Sequence, residues 1–221
     1  ASAWWILLNR KVSVWHTFNI LNIGYLMNNL LPLRAGEISR VILMGKVSGK
    51  SSFHVLPTLV VERVFDLVIS AGMLVITIPF VIGMEWAKQI GLIVLALAFF
   101  GFIVLYFLAQ HSKQVESGLA KILPSWSFFH KWISPRLAAM LDGLEVMRHP
   151  AQFFLSALLM LLCWGLYIVS YGVVILPLVP DFPLWGLPFT LSVVALGMAV
   201  PSAPAGMGVF EAALVGSLLL L

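Results

Sequence analysis

Three ionisable residues stand close together in the otherwise apolar segment LVVERVFDLV. Glu62 and Asp66 are four residues apart, so they lie on the same face of a helix, whereas Arg63 points about 100° away from Glu62. A helix that begins near Ser51 or Ser52 places Glu62 ~15 Å along its axis. Charges at that depth of a membrane cost at least about 2.5–3.5 kcal/mol each, so in a membrane they would face other helices and find partners there.

A second polar segment, NNLLPLRAGEISR, spans residues 28–40. It holds two asparagines, a proline, two arginines and a glutamate, although 61% of the chain is apolar and only 10% is charged. Guanidinium groups bind phosphate through two parallel hydrogen bonds, and carboxylates bind arginines or ammonium groups. The two segments therefore contain the residue types that bind phosphate and a cation.

Composition predicts the elements that position these residues. Residues 151–180 and 182–210 contain no Asp, Glu, Lys or Arg, and each run exceeds the ~20 residues with which a helix spans a bilayer. Strands of a β-barrel would alternate polar and apolar residues, and these runs do not. We therefore predict an all-α fold, a polytopic transmembrane helical bundle, as a single domain over residues 1–221. Because the chain begins at Ala1 and ends in leucines, we interpret it as part of a longer protein.

The positions of the basic residues predict the topology, because Lys and Arg in short loops collect on the cytoplasmic side. Basic clusters lie at residues 10–11, 34–50 and 111–149, which we place in the cytoplasm. The connections at residues 83–88 and 179–183 have few basic residues and suit the outer side. The predicted crossings are a helix at 52–83 that runs outward, one at 89–109 that runs inward and one at 151–179 that runs outward.

Residues 12–33 have basic clusters at both ends, so this segment enters the membrane and returns to the same side. Two half-helices would each reach only ~15 Å, about half of the hydrocarbon thickness. We therefore predict a re-entrant hairpin within residues 12–33. Its turn needs polar partners for the backbone, and the candidates are Asn19, Asn22, Asn28 and Asn29.

The segment PSAPAGMGVFE, residues 201–211, is predicted to break a second helix, because it has two prolines and two glycines within eight residues. It carries proline, glycine and glutamate, as does PLRAGE at residues 32–37. Interrupted hydrophobic segments in matching positions of two halves are typical of inverted repeats that form a transport site. Chance similarity is the alternative, because Pro, Ala and Gly are common in membrane helices.

The polar segment 110–150 is predicted to form a cytoplasmic, interfacial part of the same domain. Apolar residues recur there at helical spacing, which indicates two short amphipathic helices on the membrane surface: Val115, Leu119 and Ile122, then Leu137, Leu141 and Leu144. Between them lies a predicted aromatic anchor of Trp126, Phe128, Phe129 and Trp132. The segment either connects two membrane helices or also docks a catalytic partner domain.

Three motifs of this chain, NNLLPLRAGEISR, the ER-x-x-D of residues 62–66 and PSAPAGMGVFEAA, resemble the transmembrane region of lysylphosphatidylglycerol synthases, flippase-like proteins of bacteria and archaea. WWILLNRK, residues 4–11, is similar to the aromatic and basic stretch before the first motif of that family. The resemblance implies a domain of the cell (inner) membrane that moves a lipid between leaflets. In the best-known members that lipid is an aminoacylated phosphatidylglycerol, which an attached cytoplasmic aminoacyl-transferase domain makes.

We therefore expect translocation of a charged, anionic or aminoacylated, phospholipid through a polar cavity in the membrane. The arginines would hold phosphate, and the carboxylates would bind a cation or pair with the arginines. Two alternatives stay open: the charges only pin helices together, or the domain anchors an aminoacyl- or glycosyl-transferase and presents its substrate. The candidate residues are Arg34, Arg40 and Arg63 for phosphate, Glu37, Glu62, Asp66 and Glu211 for the cation, and Asn28 and Asn29 beside them.

No cofactor, metal or nucleic-acid site is predicted, and the expected partners are membrane lipids. GKVSGKS, residues 45–51, has three residues between its glycines where a phosphate-binding loop needs four. GMG, residues 206–208, lacks the third glycine of a dinucleotide fingerprint. The five histidines are scattered. No catalytic motif is present in these 221 residues, so whether the parent protein is an enzyme with a transferase domain, and whether it forms oligomers, stays open.

Overall fold

The computed structural model describes residues 1–31, 35–81, 85–111, 114–115, 134–199 and 204–221, and this part of the chain is helical without strands. The predicted all-α fold is confirmed. Within these ranges the α-helices are α1 (Ser2–Leu7), α2 (Val14–Leu30), α3 (Ala35–Ser48), α4 (Ser52–Thr77), α5 (Glu85–Gln110), α6 (Ser134–Gly143), α7 (Pro150–Ile175), α8 (Gly186–Ala199) and α9 (Val209–Leu218). Short 3-10 turns occur at Ile78–Phe80, Glu145–Arg148 and Pro204–Gly206.

Three long helices match the three predicted crossings. α4, α5 and α7 have 26 residues each, which gives a length of ~39 Å and exceeds the ~30 Å hydrocarbon core of a bilayer. Leu92–Gln110 within α5 and all of α7 are long and apolar enough to cross a membrane. α4 is equally long but carries charged residues at its middle.

The polar segment at residues 28–40 belongs to a helical hairpin that differs from the predicted one. Residues 14–30 form one unbroken helix, so the division of 12–33 into two half-helices is wrong. No proline interrupts this stretch, and the Asn22 side chain donates to the Phe18 carbonyl oxygen at 2.8 Å rather than opening the helix. The helix ends at Leu31, which is extended (φ −111°, ψ 144°), as expected for a residue that precedes a proline.

α2 and α3 pack side by side and antiparallel, because Asn28 contacts Gly36 and Gly24 contacts Arg40. With 17 and 14 residues, the helices are ~25 and ~21 Å long, and neither spans ~30 Å of hydrocarbon. The pair therefore has the dimensions of a re-entrant hairpin whose turn lies after Leu31.

The predicted break in the last apolar run is confirmed. α8 ends at Ala199, and α9 begins at Val209 after a 3-10 turn. Ala205 has φ 56°, Gly206 φ 68° and Gly208 φ 83°, which is left-handed backbone that glycine adopts without steric cost. This turn contacts α2, so the two interrupted segments meet in space. Their relation as inverted repeats stays a prediction.

α6 is a helix at the position of the second predicted amphipathic helix, and its location on the membrane surface stays a prediction. It packs on the first turns of α4, and Gly143 lies so close to the His54 carbonyl group that a Cβ would not fit between them. Leu141 is buried. The body of the first amphipathic helix and the predicted aromatic anchor lie outside the described residues.

Candidate functional site

α4 is the helix on which the site is built. Ser51 caps its N-terminus, where the Ser51 hydroxyl accepts a hydrogen bond from the Phe53 N–H group at 3.2 Å, so the predicted start of this helix is confirmed. Glu62 follows ten residues after Ser52, which puts it ~15 Å from the start of the helix and near its middle. Val61 and Phe65, on the neighbouring face of α4, are buried in the apolar core.

A buried ion pair joins α3 to α4 at this depth. Arg40 Nη1 donates to Glu62 Oε1 at 3.1 Å, and Arg40 Nη2 donates to Glu62 Oε2 at 2.8 Å. Arg40 is 2% exposed and Glu62 is 7% exposed. Two parallel hydrogen bonds between a guanidinium and a carboxylate are among the strongest polar contacts in proteins, so this pair fixes the position of one helix against the other.

α1 covers this pair from a third side. The Arg40 guanidinium carbon lies 4.3 Å from the centre of the Trp4 ring, within the range of a cation–π contact. The Trp4 indole N–H group donates to Thr58 Oγ1 at 3.1 Å, which orients the ring. Trp4 and Arg40 are therefore shielded from solvent, and three helices hold the guanidinium in place.

A second guanidinium, that of Arg63, lies on the open side of Glu62. Arg63 Nη2 is 2.6 Å from Glu62 Oε1, Nη1 is 3.1 Å from Asp66 Oδ2, and Nε is 3.7 Å from Glu37 Oε1. The side chain of Arg63 is 35% exposed, whereas those of Asp66 and Glu37 are 28% and 20% exposed. The outer half of the cluster is thus reachable by a ligand, and its inner half is not.

α7 reaches the same cluster through an aromatic side chain. The Trp164 indole N–H group donates to Asp66 Oδ1 at 3.2 Å, and the Trp164 and Tyr167 rings stand edge to face with their centres 6.4 Å apart. Sequence reasoning missed Trp4 and Trp164, because each is more than fifty positions away from its partner. The only hint in the sequence is that a tryptophan inside an apolar run needs an acceptor for its N–H group.

A side chain of α2 caps the N-terminus of α3 in the hairpin. Asn28 Oδ1 accepts a hydrogen bond from the Gly36 N–H group at 2.8 Å, so it satisfies one of the free donors at the start of α3. Glu37 follows in the first turn of α3, where the helix dipole favours a carboxylate. Asn28 therefore positions Glu37 beside Arg63 without contacting the ion pairs itself.

The structure does not bring every candidate residue together. Asn29 is exposed on α2, and Arg34 lies outside the described residues. Glu211 is exposed and accepts a hydrogen bond from the Gly208 N–H group at 2.6 Å, so it caps α9. A carboxylate three residues after the start of a helix commonly serves as such a cap. The described members of the cluster are Glu37, Arg40, Glu62, Arg63 and Asp66.

A large cavity opens beside this cluster. Its volume is ≈ 980 Å³, at the upper end of the ~300–1,000 Å³ that small-molecule sites occupy. One wall carries Glu37, Glu62, Arg63 and Asp66, whereas Arg40 does not reach the cavity. Apolar side chains from α1, α2, α3, α4, α7 and α8 form most of the remaining wall. The cavity thus combines a charged region with a long apolar surface.

In the described ranges, no group of three or more His, Cys, Asp and Glu side chains is positioned to hold a metal ion. Glu62 and Asp66 already face guanidinium groups. The chemistry available to the cavity is that of exchangeable ion pairs.

Long apolar helices, a short helical hairpin and a charged cavity among them define a helical membrane protein. Residues 1–221 match the family described as the lysylphosphatidylglycerol synthase TM region. The chain belongs to that family, so the resemblance read from its motifs is confirmed. No curated protein and no solved structure gave a significant match.

Proposed function

We propose that this domain moves a charged phospholipid between the leaflets of the membrane, with the head group passing through the cavity beside Arg63. The observation that carries the proposal is the position of a half-exposed ion-pair cluster on the wall of a ≈ 980 Å³ cavity, near the middle of a helix that is long enough to span a bilayer. A head group meets a high barrier in ~30 Å of hydrocarbon unless polar groups replace its water.

Arg63 is the residue that we assign to the phosphate. It is 35% exposed and already touches three carboxylates, so a phosphate oxygen can replace one of them without leaving the guanidinium unpaired. The displaced carboxylate, Glu37 or Asp66, then faces the cavity and can accept an ammonium group of the same head group. Arg40, for which phosphate contact was expected, is enclosed by Glu62 and Trp4, and its proposed task is to hold Glu62 in place.

The family supports a lipid as the ligand, and the finer assignments belong to the proposal. These are phosphatidylglycerol or its aminoacylated form as the lipid, the cytoplasmic (inner) membrane of a bacterium or archaeon as the location, and a cytoplasmic transferase as a partner. Translocation and substrate presentation to such a transferase differ in one measurable respect, because only translocation carries the head group to the opposite leaflet.

The test is transbilayer movement of head-group-labelled phosphatidylglycerol and aminoacylated phosphatidylglycerol in liposomes that contain the full-length protein. Arg63→Gln removes the exposed guanidinium and is expected to slow movement by about tenfold to a hundredfold, since a hydrogen bond to a charged group is worth ≈ 1.5–3 kcal/mol. Arg10→Gln is the matched control, because Arg10 is exposed outside the cavity.

Two results would count against the proposal. If Arg63→Gln moves lipid at the wild-type rate, the cluster is not on the lipid path. If the wild-type protein moves neither lipid faster than empty liposomes do, the cavity presents a substrate rather than transporting it.

A further inference from the structure

Two helices that line the cavity are not packed on each other in the part of the chain that the structure describes. α2 and α7 both line the cavity, yet α2 packs on α3 and α1, and α7 packs on α1, α8 and α4. α2 and α7, both fully described, do not form a packed pair with each other. α1 packs on both of these helices, α8 packs on α7, and the turn Pro204–Gly206 packs on α2. The described residues therefore leave a gap in the lining of the cavity between α2 and α7.

The rim of this gap consists of apolar residues and two tyrosines. Leu21 and Tyr25 line the cavity from α2, and Cys163 and Tyr167 line it from α7. Tyr25 is 48% exposed and Tyr167 is 52% exposed. Tyrosine suits a boundary at which one end of the side chain is apolar and the other end is polar, which is the boundary between hydrocarbon and a charged cavity.

The outer surface next to the rim also suits hydrocarbon. On α7 the neighbouring residues Leu162, Leu166 and Val169 are exposed, and in a membrane such a surface faces lipid chains. The charged wall of the cavity lies behind the rim, at Arg63 and Asp66. A molecule that crosses this rim passes from an apolar to a charged environment within the width of one helix.

We propose that the gap between α2 and α7 is a lateral portal, through which the head group of a phospholipid enters the cavity while its acyl chains stay outside in the bilayer. That the ligand is a phospholipid rests on the function proposed above. Chains drawn wholly into a hydrated cavity would lose ~0.8 kcal/mol for every CH₂ group that contacts water. A sideways opening avoids that cost, because the chains never leave hydrocarbon.

The portal can be tested without measuring transport. Cys163, the one cysteine of these 221 residues, lies on the rim. In the full-length protein with any cysteine elsewhere replaced by serine, a bimane label on Cys163 reports its surroundings in phosphatidylglycerol liposomes. A nitroxide on the acyl chain of the lipid quenches the label if hydrocarbon reaches the rim, and aqueous iodide quenches it if water alone does.

Controls on the same helix calibrate the result. In a Cys163→Ser background, Leu166→Cys puts the label on the exposed outer face of α7, and Ser156→Cys puts it at a fully buried position. We expect the chain nitroxide to quench the label at position 163 as strongly as at 166, with little effect at 156. Leu21→Cys, on the opposite rim, is expected to behave like Cys163.

Other occupants of the gap give other results. Quenching at position 163 by iodide alone means that the cavity opens only to water, and quenching by neither agent means that protein covers the gap; each overturns the portal. If the chain nitroxide quenches the label but the protein does not move lipid, the proposed function is wrong and the portal is retained. If the protein moves lipid but the chain nitroxide does not quench the label, the portal is wrong and the proposed function is retained.

Discussion

At the scale of single residues, the two arginines of the cluster differ in exposure and therefore in what they can do. Arg40 is 2% exposed and has both terminal nitrogens on Glu62. The Arg63 side chain is 35% exposed and divides its nitrogens among three carboxylates. A buried pair loses much stability when one partner is removed, whereas an exposed pair loses little. We therefore assign a structural role to Arg40 and propose that Arg63 exchanges partners.

Replacing Glu62 by methionine is expected to lower the free energy of unfolding by about 3–5 kcal/mol, because it leaves the buried Arg40 guanidinium without its carboxylate. The double substitution Glu62→Met with Arg40→Met is expected to recover much of that loss, since it removes both charges. Thermal unfolding in detergent measures both.

Glu37→Gln is the control for this experiment, because the Glu37 side chain is 20% exposed and lies 3.7 Å from Arg63 Nε. This substitution should change the free energy of unfolding by no more than about 1 kcal/mol. A double variant no more stable than Glu62→Met alone would show that Arg40 is not held by the pair.

Part of this cluster could be predicted from the sequence. The four-residue spacing of Glu62 and Asp66 placed both on one helix face, and both line the cavity. Arg63 starts on another face, but its long side chain bends back to reach them. The contacts of Trp4 and Trp164 could not be predicted, because they depend on how distant helices pack.

At the scale of the elements, the hairpin of α2 and α3 depends on two glycines that allow the helices to approach closely. A Cβ on Gly36 would collide with the Gly24 carbonyl oxygen and lie 2.6 Å from Asn28 Oδ1. A Cβ on Gly24 would collide with the aliphatic part of Arg40. The hairpin and the buried ion pair therefore share one tightly packed contact.

Gly36→Ala is expected to lower the free energy of unfolding by about 1–3 kcal/mol, because the added methyl group meets backbone that has no room to move. Gly72→Ala in α4 is the matched control, since no atom lies within 4 Å of a Cβ there, and it should stabilise the helix by roughly 0.5–1 kcal/mol. Urea or thermal unfolding of the two variants, carried out in parallel, measures both changes in the free energy of unfolding. Equal effects at both glycines would contradict the close approach of α2 and α3.

The basic residues around residues 12–33 predict a hairpin within that segment, and this prediction is wrong, because residues 14–30 form one helix and the hairpin consists of α2 and α3. The prediction places the turn at the asparagines, whereas Asn22 donates a hydrogen bond to the backbone of its own helix. The helix stops only where Leu31 precedes a proline. An asparagine side chain can hydrogen-bond to the backbone either within a helix or in a turn, and the sequence alone does not reveal which of the two forms.

At the scale of the whole molecule, the three long helices and the break after Ala199 could be predicted, because length, charge and proline act locally. The cavity could not be predicted in the same way. Its walls combine four consecutive helices, α1 to α4, with the distant helices α7 and α8, and only their packing encloses the volume. The meeting of the turn at Pro204–Gly206 with α2 is likewise a property of the packed bundle.

The central claim is that the cavity is the path of the lipid head group, and obstruction of the cavity with all charges intact tests it most directly. Ala195 on α8 lines the cavity, so Ala195→Trp fills part of it without touching an ion pair. Ala96 on α5 is exposed and outside the cavity, so Ala96→Trp is the matched control. Translocation of labelled phosphatidylglycerol in liposomes should fall by about tenfold or more for Ala195→Trp, which corresponds to about 1.4 kcal/mol in the barrier, and stay unchanged for Ala96→Trp. Wild-type translocation by a folded Ala195→Trp variant would contradict the claim.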